Sequence, residues 1–202
     1  MTYFNSRELA VVSLFASLWG VLNSVFSPVV FQAFGLPILC DMLGFAALSL
    51  TFWWVRKFGA ATVVGFVATL VNFILNPGGL FFLGFTAASI VFDVAAGSIG
   101  YKRVFRNSAV AVSSLLVISI GSAAIAGLII GSFFMGEPVL VKWGGVFGWA
   151  GLHALGGVAG GFIGAVAIEV FTSRQIRGFN FKNPGSPAPF SSEFVGSSRA
   201  SQ

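Results

Sequence analysis

The chain has 202 residues, 56% hydrophobic and only 8% charged, with a mean hydropathy of +0.94. A water-facing domain carries about 25% charged residues, so this composition excludes an ordinary soluble domain, while 24 Phe and 5 Trp exclude disorder. One Cys and one His exclude a disulfide framework and a Cys/His metal cage. A lipid bilayer is the solvent that suits such a chain. Stretches such as Val11 to Val25 and Ser114 to Phe134 are apolar on every side, whereas barrel strands would alternate. The expected fold is an all-α membrane protein: a six-transmembrane-helix bundle over residues 1–171 and a flexible polar cytoplasmic tail over 172–202.

Taken in chain order, the first helix is predicted from Glu8 to Ser27 and ended by Pro28. Glu8 precedes the apolar run and no small-residue cleavage site follows it, so this reads as a retained helix rather than a signal peptide. The loop Pro28–Pro37 is itself apolar, with Val29, Val30, Phe31 and Phe34. The second helix runs from Ile38 to Val55 and stops at Arg56-Lys57, beside the interfacial pair Trp53 and Trp54. The third is Phe58 to Leu75, closed by the turn Asn76-Pro77-Gly78-Gly79. The fourth is Leu80 to Gly100, followed by a basic loop from Tyr101 to Arg106. The fifth is Ser108 to Met135, and after Gly136–Lys142 the sixth is Trp143 to Phe171. The rest is rich in Ser, Gly and Pro.

Basic residues set the orientation. With six spans, Arg7, Arg56, Lys57, Lys102, Arg103, Arg106, Arg174, Arg177, Lys182 and Arg199 share one side, and Lys142 alone lies on the other. Both termini are therefore expected in the cytoplasm. The pI near 10.0 is this bias together with contact to anionic lipid, not a sign of nucleic-acid binding.

Polar side chains in a membrane usually face the bundle interior or a cavity. Asn23, Gln32, Asp41, Asn72, Asn76, Thr86, Ser89, Trp149 and His153 all fall toward the outer side, and Asp93 lies somewhat deeper. Asn72 with Asn76, Trp149 with His153, and Thr86 with Ser89 and Asp93 each share one helix face by spacing. Three polar stripes with aromatic neighbours are what a pocket for a small ring-containing solute requires. Asn72 and Asn76 read equally as interhelical bonds or caps of the Asn-Pro turn, His153 as core packing, and Asp41 as an acid at its helix N-terminus. Small residues mark two close-packing faces: Ser13, Ala16, Ser17 and Gly20 on the first helix, and Gly156, Gly160 and Gly164 with Gly157 and Gly161 on the last. The glycine ladder reads as packing within the bundle; the first-helix face reads equally as a docking surface for a partner subunit.

Catalytic and cofactor motifs are absent. There is no phosphate-binding GxxxxGK[ST], since Gly97-Ser-Ile-Gly100-Tyr-Lys102 only echoes one, no HExxH and no GxSxG. The chain is not expected to be an enzyme, and no cofactor or metal is expected.

These features resemble a known family. Six predicted helices, the small-residue first helix, Arg56-Lys57-Phe58-Gly59-Ala60-Ala61 opening the third, Asn76-Pro77-Gly78-Gly79 closing it and an acid in the fourth, Asp93, are similar to the substrate-binding S component of energy-coupling-factor (ECF) vitamin transporters. Within that group the chain looks most like the thiamine/hydroxymethylpyrimidine permease family, residues 56–79 being the most specific part. The resemblance implies a vitamin or precursor bound from outside under the loop Pro28–Pro37. It implies docking of a T component on Ser13, Ala16, Ser17 and Gly20, and two ATPase subunits that drive import. Near the outer end of the third helix, where an acid would be expected, this chain has Asn72; Asp41 could supply a carboxylate to pair with an aminopyrimidine stacked on Trp149. The implied site is Asp41, Asn72, Asn76, Thr86, Ser89, Trp149 and His153, supported by Asp93. Two other readings remain open from sequence: a stand-alone gradient-driven carrier, although no inverted repeat is visible, and a membrane assembly protein whose polar groups only glue helices.

Overall fold

A computed structural model describes residues 3–174, and within them every regular element is helical. We number the helices α1 (Ser6–Phe34), α2 (Ile38–Val55), α3 (Ala60–Leu75), α4 (Leu83–Ile99), α5 (Tyr101–Val104), α6 (Ser108–Phe133), α7 (Glu137–Lys142) and α8 (Gly145–Ser173), with a 3-10 turn at Leu80–Phe82 leading into α4. Five spans are long and apolar enough to cross a membrane: α1, α2, Leu80–Ile99, α6 and α8. The third helix has 16 residues, about 24 Å at 1.5 Å per residue, and is shorter than the others. Large apolar side chains such as Ile74, Val117 and Phe147 stand outward at 79%, 68% and 83% exposure, a pattern suited to lipid.

The start of α1 follows from its sequence. Asn5 accepts from the Glu8 amide while the Glu8 carboxylate accepts from the Asn5 amide, a reciprocal capping box. Its end does not follow. The helix continues through Pro28 to Phe34, so the expected loop Pro28–Pro37 shrinks to residues 35–37. Proline removes one backbone donor, but without water the backbone of 29–34 is best satisfied inside a helix. Gly35, at φ 69°, closes it by donating to Phe31 O. Two connections expected as loops also hold a helical turn each, α5 and α7. The third and sixth helices begin two residues later than predicted, at Ala60 and Gly145, and α8 runs on to Ser173. The tail expected over 172–202 therefore loses its first residues to α8, and residues 175–202 lie outside those described.

Contacts fix the course of the chain. Glu8 meets Lys57 and Ser24 meets Asn72, so α1 and α3 run the same way. Thr62 meets Asp93 and Thr69 meets Thr86, so α4 runs back beside α3. The glycine ladder seats α8: a Cβ on Gly156 would lie 2.5 Å from Asp41 Cβ, and one on Gly164 2.6 Å from Ser49 Cβ, both on α2. On the other side, a Cβ on Gly157 would lie 2.7 Å from Ala123 Cβ on α6. The ladder thus packs α8 between α2 and α6. Six helices traverse the bundle alternately, which places Arg7, Arg56, Lys57, Lys102, Arg103, Arg106 and Arg174 at one end and Lys142 at the other.

The motif around residue 56 proves to be a turn. Arg56 takes φ 53°, a left-handed conformation uncommon for a residue with a Cβ. Its Nε donates to Trp53 O at 3.0 Å and its guanidinium lies 5.3 Å from the Phe105 ring centroid. Gly59 (φ 86°) then opens α3, with Ala60 and Ala61 buried behind it.

Candidate functional site

At the end of the bundle away from the basic cluster, a cavity of about 170 Å³ opens between the helix ends. The last turns of α1 contribute Asn23, Ser27, Pro28, Phe31 and Gln32, and Pro37 and Cys40 come from the start of α2. Asn76 and Phe81 come from the turn before α4, and Phe85 from its first turn. Ile130 and Met135 from the end of α6 and Trp149 and His153 from α8 complete the wall. Rings dominate it. Trp149 meets Phe31 edge-on at 6.1 Å and His153 edge-on at 5.5 Å, and His153 meets Phe85 at 5.8 Å.

Behind this wall sits Asp41, fully buried. Its Oδ1 lies 3.1 Å from His153 Nδ1 with hydrogen-bond geometry, and Oδ2 lies 2.8 Å from the same nitrogen but off the bonding direction. The imidazole is wedged in place: a Cβ on Gly127 of α6 would lie 2.9 Å from His153 Cβ and Cδ2, and Gly156 leaves the space Asp41 occupies. The opposite ring nitrogen, Nε2, is buried without a hydrogen-bond partner, as is Trp149 Nε1. Ser27 donates to Asn23 Oδ1 at 2.7 Å, one turn below the cavity-lining Phe31. The cavity therefore has apolar walls and a few polar groups, two of its lining rings carrying unpartnered nitrogens, which is the make-up of a small-molecule site.

The predicted site residues divide. Asn76, Trp149 and His153 line the cavity, and Asp41 reaches it through His153. The other four lie elsewhere. Asn72 donates to Ser24 Oγ at 3.0 Å and joins α3 to α1. Thr86 shares a 2.6 Å hydroxyl contact with Thr69, and Ser89 donates to Thr86 O against Gly65; both belong to the α3–α4 seam. Asp93 lies near the basic end, where its Oδ2 accepts from the amide and hydroxyl of Thr62, both at 2.7 Å. It caps the N-terminus of α3, whose unpaired amides and positive dipole end suit a carboxylate. Thr62 and Asn76 are fourteen residues apart on α3, about 21 Å along the axis, so Asp93 cannot reach the cavity.

The first-helix face divides in the same way. Ala16 and Gly20 are buried, Gly20 against Val71 and Ala68 of α3, whereas Ser13 and Ser17 are exposed beside Leu14 and Leu18. Beyond the segment expected to cover the ligand, residues not foreseen as lining are Ser27, Cys40, Phe81, Phe85, Ile130 and Met135. The Asn23-Ser27 spacing, i to i+4 just before Pro28, is the sequence signal that could have found Ser27. Comparison of the chain with protein-family models, curated proteins and solved structures finds no match.

Proposed function

We propose that this chain is the substrate-binding membrane subunit of an ATP-driven importer of the ECF type, holding a vitamin or vitamin precursor of the thiamine or hydroxymethylpyrimidine kind. In this reading all six traversing helices, the short α3 included, cross the cell membrane with both termini cytoplasmic. The ring-walled cavity faces outward. A T component and two ATPase subunits supply the energy, since the chain carries no nucleotide-binding motif of its own. The observation that carries the reading is the cavity: a void walled by Trp149, His153, Phe31 and Phe85 at the end opposite the basic residues, with buried ring nitrogens left unpaired. Segregation of the cations supports the orientation. The lid role passes from a loop to the last turns of α1, where Phe31 and Gln32 cover the void. Of the implied docking residues, Ser13 and Ser17 remain available on the outer face of α1 and Ala16 and Gly20 do not.

The test is titration of the detergent-solubilised chain with hydroxymethylpyrimidine, thiamine, riboflavin and biotin, reading tryptophan fluorescence. Saturable quenching by one of the first two, at ligand concentrations of roughly 1 μM, is expected. Absence of any saturable change rejects the binding role. Uptake into liposomes by this chain alone, without ATPases, would assign it instead to stand-alone carriers.

A further inference from the structure

Asp41 is a fully buried carboxylate next to a cavity that it does not line. Its partner is the imidazole of His153, and a carboxylate only accepts hydrogen bonds, so the ring hydrogen sits on Nδ1. In that tautomer Nε2 carries a lone pair, and it is buried, unpartnered and on a residue that lines the void. His153 is thus the residue that links the carboxylate to the cavity wall. Other titratable or charged groups near this end offer no fixed compensation. Cys40 on α2 lines the wall as a thiol, Glu137 on α7 is exposed, and Lys142 is exposed with its ammonium 5.3 Å from the Trp143 ring centroid. The cavity faces of α1, α4 and α6 carry no ionisable side chain.

We infer that the cavity selects a single-ring cation that donates an N–H to His153 Nε2, with Asp41 acting as a positioning residue behind the imidazole. The inference rests on the substrate-binding reading above and narrows its substrate class to the precursor kind, a one-ring base bound in its protonated form, with two-ring thiamine excluded by size. Size limits the guest: an apolar cavity of about 150 Å³ takes up benzene, so a void of about 170 Å³ holds one ring with small substituents. Charge selects the sign, because a buried carboxylate is costly unless paired and a cation at Nε2 completes the pairing. The walls favour the same sign, since Trp149, Phe31 and Phe85 offer aromatic faces to a desolvated cation.

The experiment compares three rings of equal size on the detergent-solubilised full chain at neutral pH: 4-aminopyridinium, neutral aniline and anionic benzoate. Tryptophan fluorescence and calorimetry report binding. The expected order is cation, then neutral, then anion, with the cation at least about tenfold tighter than aniline. Asp41→Asn and His153→Gln are each expected to weaken the cation by at least about tenfold and so erase its preference over aniline. Aniline or benzoate binding as tightly as the cation overturns the inference but leaves a substrate-binding subunit in place. No binding of any ring overturns both. The wild-type ranking decides the matter even where a variant does not fold, and a cation preference that survives Asp41→Asn removes Asp41 from the recognition.

Discussion

The two ends of the bundle each bury carboxylates, and they do so in opposite ways. At the basic end Glu8 accepts from the Asn5 amide and from Lys57 at 2.7 Å, and Asp93 accepts twice from Thr62. These partners are backbone amides, an ammonium and a hydroxyl at helix ends, and the Lys57 and Thr62 contacts each join two segments of the chain. At the cavity end Asp41 has a single side-chain partner, His153, whose far nitrogen is unused and whose ring borders a void. A buried acid engaged by helix-end amides holds the fold together; the one engaged through an imidazole leaves a ring nitrogen unpartnered on a cavity-lining residue. Both kinds look alike in a hydropathy profile. Only the partner separates them.

The largest test of this contrast is steric. Gly156→Ala places a Cβ 2.5 Å from Asp41 Cβ and 2.8 Å from Oδ2, so α8 must leave α2 at the acid. We expect a loss of about 1–3 kcal/mol in stability together with loss of ring binding, read by thermal unfolding in detergent and by tryptophan fluorescence. Gly151→Ala, where nothing lies within 4 Å of the new atom, is expected to be neutral or slightly stabilising because alanine favours helix. Equal losses in the two variants would show that the ladder does not position the cavity.

Next in size is Asp93→Ala, which frees the Thr62 amide and hydroxyl at the start of α3. The expected cost is about 1–2 kcal/mol, with ligand affinity unchanged in the folded fraction. Affinity that falls with stability would join Asp93 to the cavity after all. Glu8→Gln is smaller still. Glutamine also closes a capping box, so only the ion pair to the partly exposed Lys57 is lost, and a change of less than about 1 kcal/mol is expected. A larger loss would mean that the buried Glu8 carboxylate anchors the basic end more strongly than its cap.

Much of this architecture was legible because it rests on composition and period. Arg56-Lys57, Asn76-Pro77-Gly78-Gly79 and the Tyr101–Arg106 run punctuate the helices where the chain turns, and the α8 glycines announce a face that neighbours approach closely. What was not legible depends on which side of a helix points inward. Asn72 and Asn76 are four residues apart, yet Asn72 bonds to α1 and Asn76 opens on the void, because α3 ends at Leu75 and the backbone leaves the helix at Asn76. Asp93 reads as an intramembrane acid by position alone; that it caps α3 depends on a residue 31 positions away. The Asp41–His153 contact spans 112 residues, and no local spacing announces it. The course of α1 past Pro28 was hidden for a different reason: proline ends helices in water more readily than in lipid, where the remaining backbone groups have no other partner.

Ser17→Trp is the mildest change and separates the outer face of α1 from both ends of the bundle. Sequence spacing groups Ser13, Ala16, Ser17 and Gly20, but a rise of one residue turns a helix by about 100°, so the pairs Ser13–Ser17 and Ala16–Gly20 point about 60° apart. Ala16 and Gly20 are buried, Gly20 against α3, while Ser17 is exposed beside Leu18 at 48%. A tryptophan at position 17 meets no neighbour in the isolated bundle, so stability is expected to stay within about 0.5 kcal/mol and ring binding to be unchanged. A subunit seated on that face would be pushed off by the indole, and uptake driven by ATPase partners is expected to stop. Ala16→Trp makes the opposite mark: it overpacks the interior of the bundle and is expected to lose about 1–3 kcal/mol or more before any partner is added. Uptake at the wild-type rate by Ser17→Trp, measured beside intact binding, would move the docking surface away from α1.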